Sequence, residues 1–526
     1  MQPVINAICE DRFEEAKKDA NKVDQLLAQF RSGKSESEFT SDEQEMLRSP
    51  LLGVPISIKE SIKIKDMKNT CGLWARREVI AEEDAVAVKN IKRSGLIVMC
   101  STNVPEATLY WADCQNPVYG LSVNPYDQTR ITGASSGGEA ALLASAGSVI
   151  GLGSDIACSL RAPASYCGIC SHKPSPFLVS SEGNYPPVIE SRLRLFTLGP
   201  MARYASDLRP LLRIILSDKD NDKQDTYVRY QPKDIGSIRQ NLMQQLDEPR
   251  VDISKFKIYY FNPKQSKLSG KHSIKVLDDY LEAQEELLNH FSSKFNCQTE
   301  QIDLDSYLKM VLVCCNHMLR CAGTAERDQT FIEHEMLKVF GIQSPILEML
   351  KMPFGLSTHS KEALLSLTVV TVPEQRQKAY ELGEKFEKIA AELKAEMEHK
   401  LGDNGVLLMP TMPTVAYKIN GALLKSRDIR CSALFNVLQL PVTHITLGLD
   451  KQHKMPFGVS VAAKPYGDCI TLCIGEEIEQ LMGGWIPPAV QSDTQVADAD
   501  VVKTASGNIT TKTTTTIKLN NNGSHG

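Results

Sequence analysis

Residues 131–175 read ITGASSGGEAALLASAGSVIGLGSDIACSLRAPASYCGICSHKPS, and their order decides the fold class. A loop of small residues, Gly133 to Gly138, opens a helical stretch (GEAALLASAG). A buried strand (SVIGLGSD) follows, and a second small-residue loop leads onward. The same alternation runs outward on both sides. DAVAVKNIKRSG (84–95) predicts a helix with its stop and LIVMCS (96–101) a buried strand. Downstream, FKIYYFN (256–262), GVLLMP (405–410) and MPFGVSVAAKP (455–465) read as strands. QRQKAYELGEKFEKIAAELKAEMEHKL (375–401) reads as a long amphipathic helix and DCITLCIGEEIEQLM (468–482) as a closing one. Alternation of this kind predicts an α/β protein, a large mixed twisted sheet sandwiched between helices.

At 526 residues and 42% hydrophobic, the chain can bury a large core without disulfides or a structural metal. Length alone would allow three to four domains at roughly 150 residues each, but one large α/β domain is equally compatible. We expect a single domain over 1–488 and a disordered Thr/Asn-rich tail over 489–526, where large apolar residues almost vanish after Trp485. Residues 218–250 are polar and without clear period, and read as a surface excursion. At the other end, Ile8, Phe13, Ala16, Ala20, Val23 and Leu27 suggest one face of a single N-terminal helix.

The net charge of −5 argues against nucleic acid as a partner. No signal peptide and no apolar run long enough to span a bilayer is found, so the 14 cysteines read as reduced core residues of an intracellular protein, cytoplasmic or membrane-associated. Cys158, Cys167, Cys170 and His172 could be drawn as a zinc set, and Cys167 with Cys170 as a redox pair, but packing accounts for them better; no metal or cofactor is expected.

The loop at 133–138 admits three readings. A phosphate cradle lacks the Gly-Lys-Ser/Thr that should follow it. Gly133-Ala134-Ser135-Ser136-Gly137 fits the G-x-S-x-G elbow of an esterase with Ser135 as nucleophile, but the turn-rich approach NPYDQTRIT (124–132) is no strand. The third reading joins distant segments: Gly53-Val54-Pro55-x-Ser57-x-Lys59, the Ser135-Ser136 pair, and Ser154-Asp155-Ile156-x-x-Ser159-x-Arg161. With LLGVPISIKESIKIKDMKNTCGL (51–73), NPVYGLSVNPYD (116–127), LGPMARYASDL (198–208), LMPTMPT (408–414), LPVTHITLGL (440–449) and GGW (483–485), this pattern resembles the amidase-signature family, and within it the animal fatty-acid amide hydrolases.

The resemblance implies the amidase-signature fold and a serine hydrolase of carboxylic amides, fatty-acid amides among them. It implies Ser159 as nucleophile, Ser135 as bridging proton shuttle and Lys59 as base, with an oxyanion hole from the backbone N–H groups of Ile156, Ala157, Cys158 and Ser159. It implies a small-molecule amide or lipid as the substrate, and it is compatible with a peripheral membrane contact and a homodimer. For Lys59 to act as a base near neutral pH its pKa must fall by about 3 units, roughly 4 kcal/mol, through burial. Taken alone, ISIKESIKIK gives another reading, in which alternate polar positions make Lys59 part of a solvent-facing strand edge.

Two departures stand out. Ala157 and Cys158 occupy positions where the family usually has Gly-Gly, and Ala134 replaces a common glycine where relatives hold a cis bond. If 157 or 158 needs a positive φ, each substitution adds about 1–2 kcal/mol of strain. A displaced donor would then slow turnover by about 10²–10³, and a catalytically impaired, ligand-binding pseudo-amidase becomes the rival reading. Finally, PILEMLKMPFGLSTHSKEALLSLTVVTV (345–372) mixes apolar and basic residues; core helices are the first reading and a membrane surface the second.

Overall fold

Polar side chains on an interior strand organise the molecule. In the computed structural model, which describes residues 2–489 except 189, 218–231, 250, 269–272, 321–336, 355, 371–375 and 423–424, strand β2 (Pro55–Lys59) lies between two parallel neighbours, β3 (Ile97–Thr102) and β6 (Ile150–Asp155). A strand inside a parallel sheet is covered on both faces, so its period of two separates two interiors. Ile56 and Ile58 enter the largest apolar cluster, with Val88, Ile91, Leu211 and Leu212. Ser57 and Lys59 face the other way and are also wholly buried. The solvent-face reading of Lys59 therefore fails: its strand has no open face.

Among the described residues the main sheet has eleven strands, in the order β1-β3-β2-β6-β8-β7-β12-β13-β11-β9-β10. The remaining members are β1 (Ile8–Asp11), β7 (Cys170–Lys173), β8 (Thr197–Ala202), β9 (Lys257–Tyr260), β10 (Gln298–Gln301), β11 (Gly405–Pro410), β12 (Val442–Leu449) and β13 (Pro456–Ala462). Parallel pairing holds around β2 and between β11, β9 and β10, and the centre is antiparallel. A short hairpin of β4 (Cys114–Asn116) and β5 (Gly120–Ser122) stands apart. Helices Val86–Arg93, Leu208–Ile215 and Asp468–Met482 cover one face, and helices Asp305–Arg320, Arg376–Leu401 and Arg430–Val437 enclose a second cluster with Leu407, Met409 and Val442. The chain is thus a single α/β domain with a large mixed sheet flanked by helices, and its compact unit runs to Pro487. Of the tail expected over 489–526, all but residue 489 lies outside the described residues.

Two local readings change. Ile8–Asp11 is no helix turn but an edge strand antiparallel to β3, and the helix starts only at Phe13. The Arg12 guanidinium donates to the Val98 carbonyl at 2.7 Å and its N–H to Met99 O at 2.8 Å, so backbone pairing along an open sheet edge overrides the helical period. Within 218–250, residues Ile235–Asp247 form a helix whose Ile235, Leu242 and Leu246 reach the main core; spacings of seven and four repeat one helical face inside a polar sequence.

Candidate active site

Lys59 ends β2, and the two small-residue loops converge on it. The helix Gly137–Ala144 begins directly after Ser135-Ser136 and packs tightly against the end of β3: a Cβ at Gly138 would lie 2.5 Å from the backbone N and O of Asn103. That close approach, which only glycine permits, brings the first loop over Lys59. From Lys59, Nζ reaches Ser135 Oγ at 2.6 Å, Ser154 Oγ at 2.8 Å and Ser136 Oγ at 3.1 Å. Ser159 Oγ in turn accepts the main-chain N–H of Ser135 at 3.3 Å. Lys59, Ser135 and Ser159, the three predicted catalytic residues, thus share one buried pocket of hydroxyls, with Ser159 7% exposed.

Burial lowers the Lys59 pKa to about 8, opposed by neighbouring Cys71, Cys114, Asp155 and Cys158. An ammonium there can donate to all three hydroxyls, whereas a neutral amine can accept the proton of Ser135 Oγ. No described residue forms a salt bridge with the amine, so hydroxyl dipoles alone solvate it.

The second loop is held by a buried clamp. Arg161 pairs with Asp155 through Nε to Oδ2 and Nη2 to Oδ1, both at 3.0 Å, and both side chains are fully enclosed. Leu160 N–H and Asn436 Nδ2 also donate to Asp155, at 3.0 and 2.9 Å, and Arg161 donates to Ser432 O at 2.6 Å. These contacts with Arg161 hold the Asp155 carboxyl below its usual range despite burial. The clamp closes residues 156–159 into a short arc. The N–H groups of Ala157, Cys158 and Ser159 have no acceptor among the described residues, so they are free to receive an oxyanion. Ile156, the fourth predicted donor, and Ala157 pack at the rim of the second apolar cluster.

The glycine replacements behave differently from the expectation. Neither Ala157 nor Cys158 adopts a positive φ, so the anticipated strain does not arise; Ala134 does, at φ +37°. The Ala134–Ser135 peptide is trans, unlike the cis bond the resemblance implied. The Cys158 side chain packs in an apolar cluster with Tyr110, Ile131, Ala134, Tyr166 and Met412, and burial pushes its thiol pKa up. That thiol is no rival nucleophile. Nor is the elbow reading tenable: a loop rather than a strand delivers Ser135, and a lysine rather than a histidine bonds it. His172 bonds Thr443 and Asp468, Cys170 bonds Glu479, and Cys167 bonds Thr132 O, so the residues drawn as a zinc set point to separate partners.

Sequence reasoning missed Ser154 and Ser136 as partners of the amine, and Glu139 and Asn436 as buried polar supports. Ser154 could have been found: it is the one hydroxyl in the apolar run IGLGSD, on the strand beside β2.

Comparison with known proteins identifies the family. Residues 1–472 match the Amidase family. Human fatty-acid amide hydrolase 2 is 33% identical over 93% of this chain and 84% of its own length, and fatty-acid amide hydrolase 2-A of Danio rerio is 31% identical over the same shares. Among solved structures, a peptide amidase from Stenotrophomonas maltophilia superposes with a TM-score of 0.66 at 17% identity, covering 93% of this chain and 92% of that one. An amidase family protein from Bacillus anthracis gives 0.64 at 19% identity, covering 92% of this chain and 85% of that one. The chain belongs to the amidase family and is an amide hydrolase.

Proposed function

We propose that the protein hydrolyses long-chain carboxylic amides through an acyl-enzyme on Ser159. The observation that carries the reading is the buried amine of Lys59, 2.6 Å from Ser135 Oγ, beside a loop that holds Ser159 Oγ against the N–H of Ser135. Neutral Lys59 takes the Ser135 proton as Ser135 Oγ takes that of Ser159, and Ser159 Oγ attacks the carbonyl carbon. The N–H groups of residues 156–159 receive the developing oxyanion, and the relay reverses to protonate the departing amine. Water repeats the cycle on the ester and regenerates Ser159.

A fatty acyl chain suits the surroundings. Tyr110, Ala112, Ile131, Met412 and Val415 pack in one apolar cluster with Ala134 and Cys158, and the curated relatives named above are fatty-acid amide hydrolases. The segment 345–356 adds a second apolar element. Its helix Pro345–Lys351 and following turn expose Ile346, Leu347, Leu350, Phe354 and Leu356, whereas helix Lys361–Val370 buries Ala363, Leu364 and Leu367. An exposed run of this kind fits a peripheral lipid contact that would deliver an apolar substrate. No described helix is long and apolar enough to cross a membrane.

A fluorophosphonate probe tests the mechanism without knowledge of the substrate. Modification should map to Ser159 and disappear in Ser159→Ala; labelling that persists at Ser135 or Cys158 would exclude the assignment. Turnover of a long-chain primary amide should exceed that of acetamide, and the reverse order would exclude the fatty-acid reading.

A further inference from the structure

A carboxyl lies on the same face of the sheet as Lys59, and the relay described above gives it no task. Glu139, third residue of helix Gly137–Ala144, is fully buried. It accepts hydrogen bonds from Ser57 Oγ and, at 2.7 Å, from Thr102 Oγ1. Ser57 lies two residues before Lys59 on β2, and Thr102 is the register partner of Lys59 on β3. The third strand, β6, makes room for the carboxyl: a Cβ at Gly151 would sit 1.9 Å from Glu139 Oε1. Three adjacent strands are therefore shaped around one acid, which touches two hydroxyls and not the amine.

We propose that Glu139 is a positioning residue for the base, a carboxyl held off the amine by Ser57 and Thr102 whose negative charge sets how readily Lys59 keeps a proton. The proposal rests on Lys59 acting as the base for Ser159. Burial raises Glu139 to about 7, the two hydroxyl donors pull it back, and the Lys59 charge pulls it further down. Coupling is mutual, so the Glu139 anion favours the Lys59 ammonium, as a smaller influence than burial and the neighbours Cys71, Cys114, Asp155 and Cys158. The remaining titratable neighbours do not compensate. Cys100 lies near Glu139, and Cys71, Cys114 and Cys158 lie near Lys59, all with thiol pKa values raised by burial. Asp155 is tied to Arg161, and Glu60, the residue that follows β2, turns to Thr70 and Cys71. With Glu139 charged, the base needs a higher pH to be free; with it neutral, the amine is released sooner.

The rate of fluorophosphonate labelling at Ser159, followed from acid to alkaline pH, reads the amine directly. In the unmodified protein the rate should rise through a midpoint near the Lys59 value of about 8. Glu139→Gln keeps an acceptor for one hydroxyl and a donor for the other but removes the charge, and should move that midpoint down by about half to one unit. Ser57→Ala, which strips one donor from the anion, should move it the same way by less, and serves if the glutamine variant does not fold. A merely structural glutamate predicts a loss of thermal stability with an unmoved midpoint, and that result in either folded variant overturns the proposal. Absence of Ser159 labelling in the unmodified protein overturns instead the mechanism beneath it.

Discussion

The two small-residue loops that meet at Lys59 solve the same steric problem in opposite ways. Loop 133–138 relies on backbone conformation: Gly133 and Ala134 both have positive φ, at +85° and +37°, and Gly138 lies against the Asn103 backbone. Loop 156–159 relies on side-chain anchorage, the buried Asp155–Arg161 pair with Asn436, and keeps Ala157 and Cys158 in ordinary backbone regions. A glycine position is therefore critical only where the chain turns left-handed or another backbone comes close. Elsewhere a clamp can present N–H groups with Cβ atoms in place.

The sharpest way to break this comparison is at the residue both loops serve. Lys59→Met keeps the length and burial of the side chain while removing the amine, and on the proposed mechanism should lower amidase turnover by about 10³ or more, since base and relay would be lost together. A folded methionine variant retaining more than a tenth of the activity would show that the loops need no lysine. The anchored loop should fail next. Asp155→Ala leaves Arg161 charged and buried without its partner, which costs about 3–5 kcal/mol. Chemical denaturation should register that loss, with labelling at Ser159 slowed as the arc of donors loosens. A stability change below about 1 kcal/mol would mean that Asn436 and Ser432 hold the loop unaided.

How the loops are supported also explains what the sequence disclosed. The strands and helices around residue 131 were legible because each element carries its own period, and that Lys59, Ser135 and Ser159 lie together was expected from their spaced motifs. What supports them was not. Glu139 looks like an ordinary first-turn helix acid, and its burial becomes visible only once Ser57, Thr102 and Gly151 are aligned across three strands. Asn436 lies 281 residues from Asp155, and no local pattern predicts such a bond. The edge strand at Ile8–Asp11 was misread for a related reason: helical period is a local signal, and the free edge of β3 that captured this segment is a tertiary one. The sign of φ at positions 134, 157 and 158 is likewise set by how each loop is anchored, so a Gly-to-Ala departure cannot be weighed from sequence alone.

The smallest expected effect probes that last point. Ala134→Gly relieves about 1–2 kcal/mol of left-handed strain. It gives up a buried methyl worth about 0.8 kcal/mol and adds about 0.4–1 kcal/mol of unfolded-chain freedom. These contributions nearly cancel, so the denaturation midpoint should hardly move. Cys158→Gly has no strain to relieve: it empties a fully packed position in the cluster around Tyr166 and frees the unfolded chain, so about 2 kcal/mol should be lost. Turnover should not rise in Ala157→Gly or Cys158→Gly, because the proposed oxyanion donors sit in a loop that the Asp155 clamp already holds. Equal losses at 134 and 158 would remove the distinction between the loops. A gain in turnover from either glycine in the second loop would show that its Cβ groups crowd the oxyanion after all, restoring an impaired enzyme as the better description of this chain.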